Sequence, residues 1–328
     1  MSSRTYPHWF AVATIALVAS VFGCGFAAMQ IVLRGGLSVG AAISVRFLLG
    51  AIAMGALILL AKTKFSRRAV IDGLWLGLLL VTIFWLQTDG LRFTTTSKSA
   101  FITSLYVPMT PLLAVLIGDR VRLGHAIAAV LATLGLLMLV HSPGANLLSG
   151  WNRGDYETLV CAVLCAGHVT ATAHFSRRSH GAVLALVQIA VTAFVSIFIT
   201  ALLPSPHGFQ GLSSALARTE VQFSMLYMVL FSTMFAFWGQ STMQRYLSST
   251  EAAVTFSLEP VVAGLVGVYW LNEHLNALQL TGAALIVVAM LSAELLPRVL
   301  RSRYEREHPD VYEVSRGLRI ATRKSPNR

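Results

Sequence analysis

Predominantly apolar runs of roughly 18 to 23 residues recur along nearly the whole chain, and each is long enough to cross ~30 Å of hydrocarbon as a helix. A segment in lipid must satisfy its backbone polar groups internally, so such a sequence folds as a set of transmembrane helices. Taking the runs between charged or turn-forming breaks, spans are expected at about 9–29, 38–60, 71–91, 97–117, 123–140, 155–175, 182–203, 222–242, 250–271 and 276–296. The expected fold class is therefore all-α and polytopic, with ten transmembrane helices. The first run reaches about Met29 with no small-residue cleavage site, and reads as a retained span rather than a signal peptide.

Composition agrees. Charged residues make up 12% of the 328 and hydrophobic residues 55%, against about 25% charged in a soluble domain. The net charge of +11 suggests nucleic acid until its distribution is examined, because the cations sit in the short connections and the C-terminal tail. An even number of spans puts both termini on one side. Segments on that side hold nineteen Lys and Arg, including Lys64, Arg120, Arg178 and nine in the tail. The other side holds five: Arg34, Arg92, Lys98, Arg153 and Arg218. Both termini are therefore expected in the cytoplasm, and the chain in an inner or plasma membrane. Trp9, Trp151 and Trp270 fall near span ends, where amphipathic rings favour the interface. The basic tail is expected to lie at the cytoplasmic face as an orientation signal.

The chain also repeats itself. Thr96-Ser-Lys-Ser-Ala-Phe-Ile-Thr-Ser-Leu-Tyr-Val-Pro108 parallels Ser248-Ser-Thr-Glu-Ala-Ala-Val-Thr-Phe-Ser-Leu-Glu-Pro260, and Gly118-Asp119-Arg120-Val121 parallels Asn272-Glu273-His274-Leu275. Each half carries five spans. An odd number forces the second half to enter the membrane from the opposite side, which makes an inverted-topology repeat. The expected organisation is an N-tail over 1–8, a first five-helix unit over 9–141, an external connection over 142–154, a second unit over 155–297 and a C-tail over 298–328.

These motifs resemble those of the EamA-type drug/metabolite transporters. The second half carries Glu259-Pro260-Val261, then Leu271-Asn272-Glu273-His274-Leu275 and Leu280-Thr281-Gly282-Ala283-Ala284-Leu285-Ile286; the first carries Val45-Arg46-Phe47 and Gly90-Leu91-Arg92-Phe93-Thr94-Thr95-Thr96. The chain departs from that family's pattern at Phe22-Gly23, where a tryptophan-glycine pair is common, and at Asp119, which lies two residues nearer its proline. The resemblance implies transport of small metabolites such as amino acids or drug-like solutes, by alternating access and with export as the direction.

Within the spans, ionisable and polar residues are the candidates for a pathway. An ionisable group at mid-membrane costs roughly 2.5 to 3.5 kcal/mol on insertion scales, so each calls for a partner or a purpose. Arg46 and Glu259 both fall near mid-depth, where they can pair with one another or line a cavity. Pro108 and Pro260 remove a backbone donor at corresponding places in the two halves and are expected to kink their helices at the centre, with Pro111 adding a further break. Gln87, His168 and Gln188 complete the expected pathway. Asp89 and Gln240 lie near span ends, and His174 lies on a different helix face from His168. The aromatic residues Phe84, Trp85, Trp238 and Phe256 are expected around the cavity. Cys24, Cys161 and Cys165 read as small buried hydrophobes, and the recurring pairs Gly23/Ala27 and Gly282/Ala283 as helix contacts.

No Gly-rich phosphate loop, HExxH or histidine box occurs, and the loops are short. No enzyme activity, cofactor, metal or nucleic-acid partner is expected; the expected partners are a small-molecule solute and the lipid bilayer, with a homodimer left open. The competing function is that of a membrane-embedded lipid-modifying enzyme or a lipid scramblase.

Overall fold

Six helices begin at a polar side chain that caps a free backbone N–H: Ser38 for Ala41, Ser66 for Ala69, Thr95 for Lys98, Asn276 for Gln279, Asn152 for Asp155 and Ser248 for Glu251. The last two are capping boxes, with Asp155 and Glu251 reaching back to the cap. The computed structural model describes residues 6–116, 118, 123–140, 151–202, 208–271, 276–289 and 291–292. Among these every regular element is a helix. The expectations for Asp119, Arg120, Val121, Asn272, Glu273, His274, Leu275, residues 1–5 of the N-tail and the C-tail lie outside the described residues.

The first half contains α1 (His8–Arg34), α2 (Val39–Leu60), α3 (Arg67–Gly90), α4 (Thr96–Thr103), α5 (Tyr106–Leu116) and α6 (Leu123–Val140). The second contains α7 (Arg153–Ser176), α8 (Gly181–Leu202), the short α9 (Leu212–Leu216), α10 (Thr219–Tyr227), a π-helical stretch (Met228–Phe235), α11 (Ala236–Met243), α12 (Ser249–Phe256), α13 (Leu258–Leu271) and α14 (Ala277–Ala289). Among the described residues eight helical segments are long and apolar enough to cross a membrane, counting α4–α5, α10–α11 and α12–α13 as one each. Two shorter apolar helices lie at Ala126–Gly135 and Ala277–Ala289.

Which way the side chains face identifies the solvent. Leu60, Trp75, Leu116, Phe194 and Trp270 point outward, whereas Thr96, Asp155, Gln188, Thr192 and Gln244 are buried. In water such an outer face would be a very large exposed apolar patch, so it is the face presented to lipid.

Both expected central breaks are present, and proline chemistry sets their position. Proline has no N–H for the carbonyl four residues back, which is Ser104 for Pro108 and Phe256 for Pro260. α4 ends at Thr103 and α12 at Phe256, each at that point. Val107 N–H then bonds the Ser104 carbonyl at 3.0 Å, and the Ser104 and Ser257 hydroxyls donate to Ala100 and Val254 carbonyls at 2.8 and 2.5 Å. Pro111 does not break its helix: α5 runs through it. The π-helical stretch and α9 were not legible in the periodicity.

α2 packs along α8, α3 lies between α7 and α8, and α1 runs beside α13 on one side and α10–α11 on the other. The α1–α13 approach depends on Gly23, where a Cβ would lie 2.6 Å from the Glu259 carbonyl oxygen. Gly135 plays the same part where α6 meets α14, a Cβ there falling 2.7 Å from the Gly282 carbonyl oxygen.

Ion pairs fasten α3 to α7 at both ends. Near the start of α3, buried Asp72 accepts from Arg178 Nη2 at 2.6 Å and Nε at 3.1 Å, and from Ser179 Oγ at 2.7 Å. At the far end Asp89 receives Arg153 at 2.7 Å and Arg92 at 3.0 Å, and Lys98 reaches Asp155 at 2.7 Å. The segments near Lys64 and Arg178 therefore emerge at one end of the bundle, and those near Arg92 and Asn152 at the other.

Candidate functional site

Between the halves lies a cavity of about 90 Å³, with walls from α1–α5, α7, the π-helical stretch, α11, α12 and α13. Of the expected pathway residues, Arg46, Gln87, His168 and Glu259 line it, joined by Gln240. Gln188, Pro108 and Pro260 stand behind the wall, and Asp89 belongs to the ion pairs at the end of α3.

Arg46 enters from α2 and is 3% exposed. Its Nε donates to Thr233 Oγ1 at 2.8 Å, and Nη2 to the Ser232 carbonyl and hydroxyl oxygens at 2.9 and 3.0 Å. The guanidinium carbon sits 4.6 Å from the Phe84 ring centroid and 5.2 Å from that of Phe47. Hydrogen bonds and aromatic faces thus accommodate the charge in place of a counter-ion. The acceptors all belong to the π-helical stretch, a form common at functional sites.

Glu259, in the first turn of α13, accepts from Tyr106 Oη at 3.4 Å, and Tyr106 is the first residue of α5. No ion pair joins Glu259 to Arg46 among the described residues; each has its own partners, so the two ionisable groups face one cavity separately. The prolines act through this arrangement: each break directs the next turn, with Tyr106 or Glu259, into the cavity.

His168 Nε2 lies 2.9 Å from Gln188 Oε1, and Gln188 Nε2 donates to Ser241 Oγ at 3.0 Å. Gln188 therefore orients His168 from α8. Gln87 Nε2 reaches Thr103 Oγ1 at 3.5 Å. The rest of the wall is largely apolar, with aliphatic Met29, Leu80, Ile83 and Val169 beside an aromatic cluster: Phe84 packs on Phe47 at 4.8 Å and on Phe237 at 6.1 Å, and Phe22 on Phe237 at 5.5 Å. Phe84 and Phe256 line the cavity as expected, whereas Trp238 faces outward and Trp85 packs in the surrounding core. Cys165 also lines it, its sulfur 3.8 Å from that of Cys161.

Tyr106, Ser232, Thr233 and Phe237 were missed in the sequence. Tyr106 had a signal, lying two residues before Pro108. Ser232-Thr233 had a weaker one, as a polar pair inside an apolar run. Phe237 had none, because an aromatic residue in an apolar helix marks lipid, core or cavity equally.

A lipid-facing exterior around a buried polar and aromatic cavity defines a multi-pass membrane protein of the transporter class. A model of the EamA-like transporter family matches residues 9–141 and again 157–293. An uncharacterized transporter of Archaeoglobus fulgidus is 32% identical over 225 residues, 68% of each chain. A solved crystal structure shares the fold with a TM-score of 0.67, at 18% identity over 89% of this chain and 97% of its own. The chain belongs to the EamA-like transporter family.

Proposed function

We propose that this protein is a secondary transporter, an exporter of small organic solutes, that works by alternating access through the cavity between two inverted five-helix halves. The observation that carries this reading is that separately held Arg46 and Glu259, with Gln87 and His168, converge from both halves on one buried cavity. A solute with polar ends and an aromatic or aliphatic body, such as an amino acid or an amphipathic drug, suits that lining.

The inverted relation draws support from which helices touch. Matching the halves in order sets α1 with α7, α2 with α8, α3 with α10–α11, α4–α5 with α12–α13 and α6 with α14. The contact of α3 with α7 then has its mate in α10–α11 with α1, α4–α5 with α7 has its mate in α12–α13 with α1, and α2 with α8 and α6 with α14 are their own mates. A two-fold axis between the halves accounts for this pairing, and on this reading the short helices α6 and α14 complete ten crossings. The cation count puts the Lys64 and Arg178 end, with both termini, in the cytoplasm of a cell whose inner or plasma membrane holds the protein.

Untargeted metabolite profiling of cells and medium, with and without expression and again with Glu259→Gln, tests the function. The reading requires a solute that moves outward with the wild-type protein and stays in the cell with the variant. Identical profiles with and without expression overturn it.

A further inference from the structure

A second concavity opens at the Arg92 and Asn152 end of the bundle, with about 1470 Å³ of space between its walls and the surroundings. It meets the central cavity at Leu91, which lines both. Gln30 also lines the mouth, and the hydrogen bond from the Thr96 hydroxyl to the Gln30 side chain crosses from α4 to α1 beside Leu91. The mouth is thus the approach to the central cavity from this end.

Its charge is one-sided. The charged residues on its wall are Arg34, Arg92 and Lys98, brought from the end of α1, the α3–α4 loop and the start of α4, and among the described residues no acid shares that wall. Membrane orientation favours few cations on the outer side, and this protein has five there by the cation count. Three line this mouth, and a fourth, Arg153, is held beside it on Asp89. Orientation disfavours such a concentration, so it calls for a local purpose. Arg92 and Lys98 are offset by Asp89 and Asp155. Arg34 is exposed in the last turn of α1 and has no ion-pair or hydrogen-bond partner among the described residues. A cation suits a helix C-terminus, which explains Arg34 alone but not three cations converging on one opening.

We propose that this outer mouth is an anion-binding vestibule, with Arg34 as its principal ligand, and that it takes a carboxylate or phosphate group on the way to or from the central cavity. A cleft walled by one sign of charge concentrates the opposite sign, so the vestibule would favour anionic over cationic solutes before either reaches the central cavity. The inference rests on the transporter reading for its purpose, but the binding it asserts does not require transport.

The test places a cysteine at Thr94, on the vestibule wall, in protein whose Cys24, Cys161 and Cys165 are alanine, purified in a neutral detergent. Its reaction rates with a sulfonate-bearing and a trimethylammonium-bearing thiosulfonate report the local charge, and a neutral reagent controls for fold and access. With each rate divided by that reagent's rate with a free thiol in solution, the sulfonate reagent should be favoured in the parent protein. The ratio of the two rates should fall by about fivefold with Arg34→Gln, recover with Arg34→Lys and flatten at high salt. Acetate or inorganic phosphate should slow the reaction if a solute anion is bound. Slowing in phosphatidylglycerol nanodiscs but not phosphatidylcholine ones, without an effect of the soluble anions, would assign the same site to a lipid headgroup. A ratio unchanged by Arg34→Gln, or one favouring the cationic reagent in the parent, overturns the proposal. Loss of solute flux with the ratio intact would strike the transporter reading and leave the vestibule standing.

Discussion

Tyr106 donates its hydroxyl to the Glu259 carboxylate across 3.4 Å, joining the turn that follows one helix break to the turn that follows the other. The two residues occupy near-equivalent places in the duplicated motifs, so the contact lies where the halves meet. Glu259→Gln keeps an acceptor oxygen for Tyr106 and removes the ionisable group. Thermal stability in detergent should change little while solute efflux falls by at least about tenfold, equal to ~1.4 kcal/mol in the barrier. Tyr106→Phe removes one long hydrogen bond and should cost about 1 kcal/mol or less. Flux unchanged in Glu259→Gln would remove this carboxylate from the pathway.

Arg46 should prove structural as well as functional. A lysine cannot reproduce the fork that serves Thr233 and Ser232 together or lie flat on Phe84, so Arg46→Lys is not conservative here. Losing a charged hydrogen bond typically costs about 1.5–3 kcal/mol. Melting temperatures should fall in the order wild type, Arg46→Lys, Arg46→Met. A methionine variant as stable as wild type would show that the π-helical stretch does not depend on this contact.

The α1–α13 approach can be tested by adding one methyl group. At Gly23 a Cβ would lie 2.6 Å from the Glu259 carbonyl oxygen and 2.9 Å from Val262 Cβ, neither of which can swing aside. Gly23→Ala should therefore cost about 1–3 kcal/mol. Gly167, in the middle of α7, has nothing within 4 Å of the same position. Gly167→Ala should be neutral or stabilising by up to about 1 kcal/mol. Equal melting temperatures for the two variants would contradict the packing described.

Much of this architecture was legible because lipid allows few alternatives. A buried Arg46 or Glu259 stands out among leucines, and two prolines at matching places announce two breaks. Whether these two residues pair or line a cavity separately was open in the sequence, since pairing depends on helix rotation and depth, which an apolar run does not specify; in the structure each has its own contacts. The π-helical stretch escaped notice because its sequence, Met228 to Phe235, is as apolar as an ordinary span; its partner lies far away in the chain, on α2. Pro111 was over-read: α5 begins at Tyr106, so this proline leaves only the Val107 carbonyl without its helical donor, and the helix continues. The vestibule cations were each visible, but their convergence depends on how the α1–α2 and α3–α4 loops meet.

The native Cys165 offers the most direct measurement of the central claim, because it lines the cavity midway along α7. With Cys24 and Cys161 replaced by alanine, a membrane-impermeant thiol reagent is applied to one face of sealed vesicles and then, in a separate sample, to the other. Alternating access predicts modification of Cys165 from both faces. Modification from one face only, or from neither, would contradict the account.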